Sequence, residues 1–223
     1  MLGIVAWHWA VPLDTWQVSG YFPYVTTRDR LLDAALRLFA RQGYAGTSIA
    51  QIEEEAGLSG GSGGLYKHFR SKRDLLAAGI QTRIGAADDI PQLLARLEAG
   101  GDRRAAIRGV AAAGLQRLQS ERYLNRILLR DLGAFPDLLA QFRDEELRRL
   151  HALLAGAFAR LLPDADAEAV AAVAIAAVSH HWTLCDVFGE DPLGIGTERF
   201  LDALTDLVAG SITARPAETG EAT

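Results

Sequence analysis

Apolar residues recur every three or four positions along much of this chain, which is the period of an α-helix with one buried face. The clearest stripe lies within residues 27–41 and consists of Leu31, Ala34, Ala35, Leu38 and Phe39. Thr26 and Asp29 have the spacing of a capping box at the start of this helix. Gly43 is suited to end it, so the pattern predicts a first amphipathic helix with clear bounds.

A shorter helix is predicted next, because Ser48 and Gln51 again have capping-box spacing. Gly57 suits the left-handed position that ends a helix. Beyond a run of glycines, Leu65 and Phe69 lie four positions apart and are expected to anchor a last short helix to the core. Three short helices in this order predict a helix-turn-helix unit that inserts one helix into a DNA groove.

The outward faces of this unit differ in charge. The three consecutive glutamates at residues 53–55 are expected to form a solvated face of the second helix. Tyr66, Lys67, His68 and Arg70 are expected to lie on the outside of the third helix. Basic and aromatic side chains on one short helix are typical of a surface that meets nucleic acid.

Helical patterning continues to the end of the chain, and no convincing strand pattern interrupts it. A helix is expected to begin near Lys72, with Ser71 as its cap. Glycine and proline positions divide the remainder into further predicted helices. Their predicted ranges are 91–99, 103–119, 122–132, 136–162, 165–188 and 197–212.

The net charge of −5 argues against a protein that coats nucleic acid indiscriminately. The charge is uneven, however, because residues 26–79 contain eight basic and six acidic residues. Residues 65–73 contain four basic residues and no acidic one. A basic patch on an acidic body suits a protein that meets phosphate at one place.

The single cysteine, Cys185, cannot form an internal disulfide, which fits a reducing compartment. The longest uncharged run, residues 169–185, is shorter than the ~20 residues of a membrane-spanning helix, so a buried helix is expected there. We therefore expect a cytoplasmic protein without a membrane segment. Residues 1–25 are expected to be an extension of unknown role or to precede the natural start, and residues 215–223 a disordered tail.

Residues 27–76 resemble the DNA-binding domain of the TetR/AcrR family of bacterial repressors. The matching positions are Leu38-Phe39, Gly43-Tyr44, Thr47-Ser48-Ile49, Ile52, Ala56-Gly57-Leu58-Ser59, Leu65-Tyr66, His68-Phe69, Ser71-Lys72 and Leu75-Leu76. The resemblance implies an all-α fold in which a three-helix helix-turn-helix domain, residues 26–72, precedes a larger helical domain, residues 73–214. It further implies a homodimer, formed through the last two long helices, that binds a double-stranded operator and releases it when a small molecule enters the larger domain.

Residues that touch DNA are predicted in two ways. Helix starts present free N–H groups and partial positive charge, so Thr47, Ser48 and the start at Lys72 are expected to grip phosphates. The resemblance adds phosphate contacts from Tyr66 and His68, and it assigns base reading to Gln51 and the residues just before Leu65. The full predicted set is Thr47, Ser48, Gln51, Ser59, Ser62, Gly63, Gly64, Tyr66, Lys67, His68 and Lys72.

The chain departs from the family pattern between Ser59 and Leu65, where five residues stand in place of the typical three. Four of the five are glycines, so Ser62 alone offers a side-chain hydroxyl to a base edge. Direct base readout is therefore expected to be thin, with Lys67, Gln51 and DNA shape supplying more of the specificity.

Two clusters in the larger domain are candidates for contacts with a small-molecule effector. They consist of Arg122, Tyr123 and Arg126, and of His180, His181, Trp182 and Cys185. The first cluster is more typical of a solvated face, and the second of a polar patch in a packed helix. A further set of apolar residues is expected either to line a cavity or to be plain core: Leu115, Leu118, Leu128, Phe135, Phe142, Phe158 and Trp182.

A DNA-binding transcriptional regulator, most simply a repressor released by an effector, is the predicted function. The sequence contains no nucleotide-binding loop, nucleophile elbow or zinc-protease motif, so no enzyme activity, cofactor or metal is predicted. One alternative is a small metal- or Cys-dependent enzyme centred on His180, His181 and Cys185. Another is a DNA-binding regulator that responds to no effector.

Overall fold

The computed structural model describes residues 26–61, 63–82 and 90–210, which contain ten α-helices and no strand. The all-α fold class is thereby confirmed. In chain order the helices are α1 (Thr27–Gln42), α2 (Ile49–Glu55), α3 (Lys72–Gln81), α4 (Ile90–Ala99), α5 (Arg103–Ser120), α6 (Arg122–Arg130), α7 (Pro136–Phe142), α8 (Arg148–Leu161), α9 (Ala167–Phe188) and α10 (Thr197–Gly210). Short 3-10 turns occupy Leu65–Lys67 and Leu132–Ala134, and a π turn occupies Arg143–Leu147.

The first helix begins and ends where its pattern predicts. The Thr26 hydroxyl accepts the Asp29 N–H at 3.2 Å, and the Asp29 carboxylate accepts the Thr26 N–H at 3.0 Å, which completes a capping box. Gly43 follows at a φ of +86°, a conformation that residues with a Cβ rarely adopt. The predicted apolar stripe is buried along its whole length. Local sequence signals are sufficient here because both caps are formed within the helix and its flanking residues.

The predicted third helix of the N-terminal unit is reduced to the single 3-10 turn Leu65–Lys67. The glycine run before it does not continue the helix, because Gly61 and Gly63 both have a φ of +74°. Glycine also loses the most backbone entropy in a helix, about 1 kcal/mol per interior position. Leu65 and Phe69 nevertheless anchor the turn as predicted, since both are buried in the first core.

Two hydrophobic cores hold the helices together. The first is formed mainly by α1, α2 and the 3-10 turn, and it also takes Leu75 and Ile80 from α3 and Leu124 and Ile127 from α6. The second lies among α5, α8, α9 and α10, around Phe158. Because α6 contributes to the first core, a helix beyond the predicted boundary at residue 72 packs directly on the N-terminal unit.

The helical path predicted over residues 136–162 is observed, with the π turn Arg143–Leu147 between α7 and α8. The predicted buried helix over residues 165–188 differs from expectation. Within the described residues α9 is the one helix long and apolar enough to cross a membrane by length and composition, yet only 22% of that apolar window is buried. The prediction that this helix is buried is therefore wrong for the single chain.

Candidate nucleic-acid interface and internal cavity

The start of α2 brings Ser48 and Gln51 together on an exposed edge. The Ser48 hydroxyl accepts the Gln51 N–H at 3.2 Å, and the Gln51 side-chain oxygen accepts the Ser48 N–H at 2.8 Å. The same oxygen also accepts from the Gln42 amide at 3.2 Å. The side-chain oxygen of Gln51 is thus used within the cap. The NH₂ group of Gln51 is the part suited to donate to a phosphate or a base.

Thr47 does not belong to this exposed edge, which corrects its predicted role. Its side chain is only 2% exposed, and its hydroxyl donates to the Gly43 carbonyl at 2.7 Å. A buried and bonded hydroxyl closes the loop between α1 and α2 and is not available to a phosphate.

Beyond α2 the chain presents a basic and aromatic edge. Ser59 is exposed, and Gly63 and Gly64 are half-buried, while Ser62 lies outside the described residues. Tyr66 is 59% exposed although its neighbour Leu65 is fully buried. The exposed side chains that follow on the same edge are Lys67, His68 and Arg70. The 3-10 turn therefore directs one apolar side chain inwards and its polar neighbours outwards, as the sequence predicts.

Lys72 has a structural role that its sequence position does not reveal. Its ammonium group donates to the carbonyls of Tyr44 at 2.8 Å and Thr47 at 2.7 Å, and it lies 4.3 Å from the centre of the Tyr44 ring. Burial lowers the pKa of this amine. An ammonium has three N–H donors, so one is left for the predicted phosphate contact while two join the end of the loop to α3.

Glu53 contradicts the expectation that residues 53–55 form a solvated face. Its side chain is fully buried, and one carboxylate oxygen accepts the Leu65 N–H at 2.8 Å. Glu54 and Glu55 are exposed as predicted. The charge of the three residues suggested a solvated face, but the helix period puts Glu53 on the buried face with Ile49, Ile52 and Ala56.

The N-terminal part of the chain matches a known protein family. Residues 31–78 match the family model described as bacterial regulatory proteins of the tetR family. The transcriptional regulator AcrR of Shigella flexneri is 45% identical over 51 residues, which are 23% of this chain and 23% of that protein. We refer to residues 31–78, which match this family model, as the TetR-type domain. The family resemblance inferred from the sequence is thereby confirmed.

Solved structures extend the likeness to the whole fold. A TetR-like regulator from Rhodococcus sp. RHA1 has a TM-score of 0.64 at 22% identity, over 87% of this chain and 100% of that one. FadR from Bacillus subtilis, solved in complex with stearoyl-CoA, has a TM-score of 0.58 at 17% identity, over 83% of this chain and 97% of that one. By sequence, the chain spans only 19% to 41% of the length of the curated relatives that it matches. These structures establish the fold beyond the TetR-type domain.

A cavity of about 650 Å³ lies among α4, α5, α6, α8, α9 and α10, beyond the TetR-type domain. Most of its wall is apolar and includes Leu118, Leu128, Phe142, Phe158 and Trp182. These five belong to the set that the sequence offered as either cavity or core. A volume of this size suits a small molecule, since ligand pockets typically measure about 300–1,000 Å³.

The polar part of the cavity wall is charge-compensated. The Arg117 guanidinium pairs with Glu146, and it reaches Glu121 at 3.2 Å. The Glu146 side chain is only 6% exposed, and Arg149 approaches it at 3.4 Å. Burial alone would lower the pKa of Arg117, but the bonds to the two carboxylates outweigh it and raise the pKa. Away from the exposed Arg96, the charged side chains of this wall therefore form bonded pairs.

The predicted effector residues are mostly elsewhere, and Trp182 alone of the seven lines this cavity. Arg122 and Arg126 both pair with the Asp186 carboxylate, whose side chain is 6% exposed. Tyr123 packs beside the first core. The proposed charge run is thus a structural link between α6 and α9.

The histidine cluster is also dispersed. His180 is exposed, whereas the His181 ring is buried and stacks on Phe200 with ring centres 3.9 Å apart. Burial lowers the pKa of His181 and raises that of Cys185, whose sulfur lies 3.9 Å from the His181 ring nitrogen. Among the described residues no three His, Cys, Asp or Glu side chains are grouped to share a metal ion. The enzyme alternative therefore finds no third ligand in this part of the chain.

Helix α6 touches both the cavity and the TetR-type domain. Leu124 and Leu128 of this helix line the cavity. At its end, the Arg130 guanidinium donates to the Phe39 carbonyl, and Asp131 accepts the Tyr44 N–H at 3.3 Å. A displacement of α6 by a molecule in the cavity would reach the loop between α1 and α2 directly.

Proposed function

We propose that the protein is a dimeric transcriptional regulator that binds a DNA operator and releases it when an apolar effector enters the cavity, most simply acting as a repressor in the cytoplasm. One observation carries this proposal: the TetR-type domain presents an exposed edge of Tyr66, Lys67, His68 and Arg70 on a turn anchored by the buried Leu65. Phosphate binding supplies affinity and register, and such an edge suits it.

The proposed contacts fall into two groups, those to DNA phosphates and those to the bases. Tyr66 and His68 would meet phosphates beside the cap at Ser48, where N–H groups and the helix dipole favour anions. Lys67, which the sequence offered for specificity, is exposed on the same edge and would meet a phosphate as well. Gln51 and the backbone of the glycine run would face the bases. Because glycine has no side chain, DNA shape would carry part of the specificity.

Homodimerisation through the last two long helices is supported by the apolar surface that α9 and α10 expose. Val173 is 62% exposed, Val187 69%, Phe188 63% and Leu207 75%. Exposed apolar side chains concentrated on neighbouring elements mark an interaction surface. A second copy of the chain packed here would cover the α9 face and would explain a helix that is apolar yet poorly buried in one protomer.

The proposed effector is a molecule whose buried part is apolar and uncharged. The described cavity wall is dominated by aliphatic and aromatic side chains, and its half-buried arginine, Arg117, is already paired with two glutamates. Arg96 lies at the exposed part of the lining and would suit a polar head group left near the solvent. An acyl chain, as in the ligand of the FadR neighbour, would fit this division.

Release would follow from a shift between two spacings of the paired TetR-type domains. The recognition elements of a dimer must lie about one DNA turn apart, roughly 34–36 Å, or a multiple of it. Because α6 contacts both the cavity and the loop after α1, a ligand that favours another position of α6 lowers operator affinity by population shift.

Selection of bound duplexes from a random DNA library tests the proposal. We expect enrichment of a pseudo-palindrome whose half-sites are separated by about one helical turn, as the symmetry of a dimer requires. Failure to enrich any sequence would refute sequence-specific binding. Enrichment with no apolar compound able to release the DNA would instead favour the effector-independent regulator.

A further inference from the structure

Glu53 has an unusual environment for a carboxylate. It is fully buried, one oxygen accepts the Leu65 N–H at 2.8 Å, and the other oxygen is buried without a hydrogen-bond partner within the described residues. Buried polar groups are nearly always bonded, since an unpaired one loses its hydration without return. An open acceptor at this place therefore calls for a donor that arrives in another state of the molecule.

The neighbouring backbone can supply that donor. Leu65 is the first residue of the 3-10 turn, and the first N–H groups of any helical turn lack partners within it. Gly63 and Gly64 come directly before Leu65, and Gly63 has a φ of +74° with open space around its Cβ position. Their N–H groups belong to the glycine run that leads into the turn carrying Tyr66.

Resting on the proposed DNA-binding function, we propose that Glu53 is a positioning residue for the glycine run. Its bonded oxygen holds Leu65 in the free protein, and its open oxygen accepts the N–H of Gly63 or Gly64 when the run docks on DNA. A run of glycines loses much conformational entropy when it is fixed. A charge-assisted hydrogen bond is among the stronger contacts that offset such a loss.

Replacement of Glu53 by glutamine distinguishes the roles of the two carboxylate oxygens. The Glu53→Gln side chain has the same length and keeps an acceptor for the Leu65 N–H, but it places an NH₂ donor where the open oxygen stood. Two donors then face each other in the docked state. Glu54→Gln is the matched control, because it removes the same charge from the adjacent, exposed residue.

We measure the affinity of each variant for two duplexes: the one that the parent selects from random DNA, and an unrelated one of equal length. We expect Glu53→Gln to weaken binding to the selected duplex at least tenfold and to leave the unrelated duplex unaffected, while Glu54→Gln matches the parent on both. Parent-like binding of Glu53→Gln to the selected duplex, or an equal loss on both duplexes, would overturn the proposal.

Amide hydrogen exchange in the parent protein provides a readout that does not depend on folding of the variant. We expect the Gly63 or Gly64 amide to gain protection with the selected duplex but not with the unrelated one. Equal protection with both duplexes overturns the proposal. A parent that selects no duplex at all would instead refute the DNA-binding function on which the proposal rests, so the two failures are distinguishable.

Discussion

The paired charges in the cavity wall predict that the Glu146→Gln variant has a lower free energy of unfolding than the parent. Glu146 has a side chain only 6% exposed and bonds to Arg117, which is itself 20% exposed. Removing one partner of a buried pair typically costs about 3–5 kcal/mol. Here Arg117 keeps Glu121 at 3.2 Å, and the new amide oxygen can still accept, so we expect a loss of about 2 kcal/mol.

For a chain of this size that loss corresponds to a fall of roughly 4–8 °C in melting temperature. The control is Glu145→Gln, since Glu145 is the exposed neighbour on the same turn and bonds to Gln141 at 3.2 Å. We expect the control to stay within about 1 °C of the parent, because exposed substitutions rarely exceed ~0.5 kcal/mol. Equal melting temperatures for the two variants would refute the buried pairing.

The same variant changes which ligands the cavity prefers. Replacing Glu146 by glutamine removes one negative charge, so the net charge of the wall rises by one. The attraction between this charge and an anionic ligand about 8 Å away, at an effective dielectric constant of about 20, is roughly 2 kcal/mol. Anilinonaphthalene sulfonate carries one negative charge, and N-phenylnaphthylamine has the same ring system without it. Fluorescence titration is expected to show a tenfold or greater gain for the anionic probe only. Equal gains, or none, would refute the charge-compensated wall.

Three further variants or groups test other parts of the account. Ser48→Ala removes the cap of α2 and is expected to lower the free energy of unfolding by about 1 kcal/mol, and an unchanged denaturant midpoint would contradict the cap. Leu128→Trp fills part of the cavity beside α6 and is expected to raise the dissociation constant of the selected duplex at least tenfold, whereas parent-like binding in a folded variant would argue against coupling through α6. The Thr26 hydroxyl and N–H hold the pKa of Asp29 below its ordinary value. The stabilisation from this cap is therefore fully present at a pH above the ordinary pKa of a carboxyl group, and it is lost as the pH falls through the lowered pKa. A carbon-detected NMR titration that finds an ordinary or raised pKa for Asp29 would contradict the capping box.

Local signals predicted the N-terminal unit well, because its caps and apolar stripe depend on residues within one or two turns. The capping boxes at Thr26 and Ser48 form as expected, and Leu65 and Phe69 are buried. The length of the third helix was not predictable in the same way. Five residues with four glycines follow Ser59, and the turn after them is held by the bond from Leu65 to Glu53, twelve positions earlier in the chain.

Burial of polar residues and the position of the cavity depend on tertiary contacts that one sequence does not show. The Thr47 and Glu53 side chains are both buried, and Glu53 bonds to Leu65, twelve positions further along the chain. The apolar residues Leu118 and Phe158 line a cavity, whereas Phe135 packs against the first core, although all three have the same character in the sequence. Helical periodicity assigns a face, but it does not say whether the opposing face leaves a space.

The exposed edge that carries Lys67 and Arg70 is proposed to bind DNA phosphates. In a dimer the double variant Lys67→Ala, Arg70→Ala removes about four phosphate contacts, which should reduce the slope of log K against log salt by roughly 3–4. Arg103→Ala, an exposed arginine of the larger domain, is the charge control and should leave the slope unchanged. The most direct measurement is therefore the salt dependence of binding to the selected duplex. We expect a steep slope for the parent that the double variant flattens, whereas equal slopes for the two proteins would refute phosphate binding at this edge.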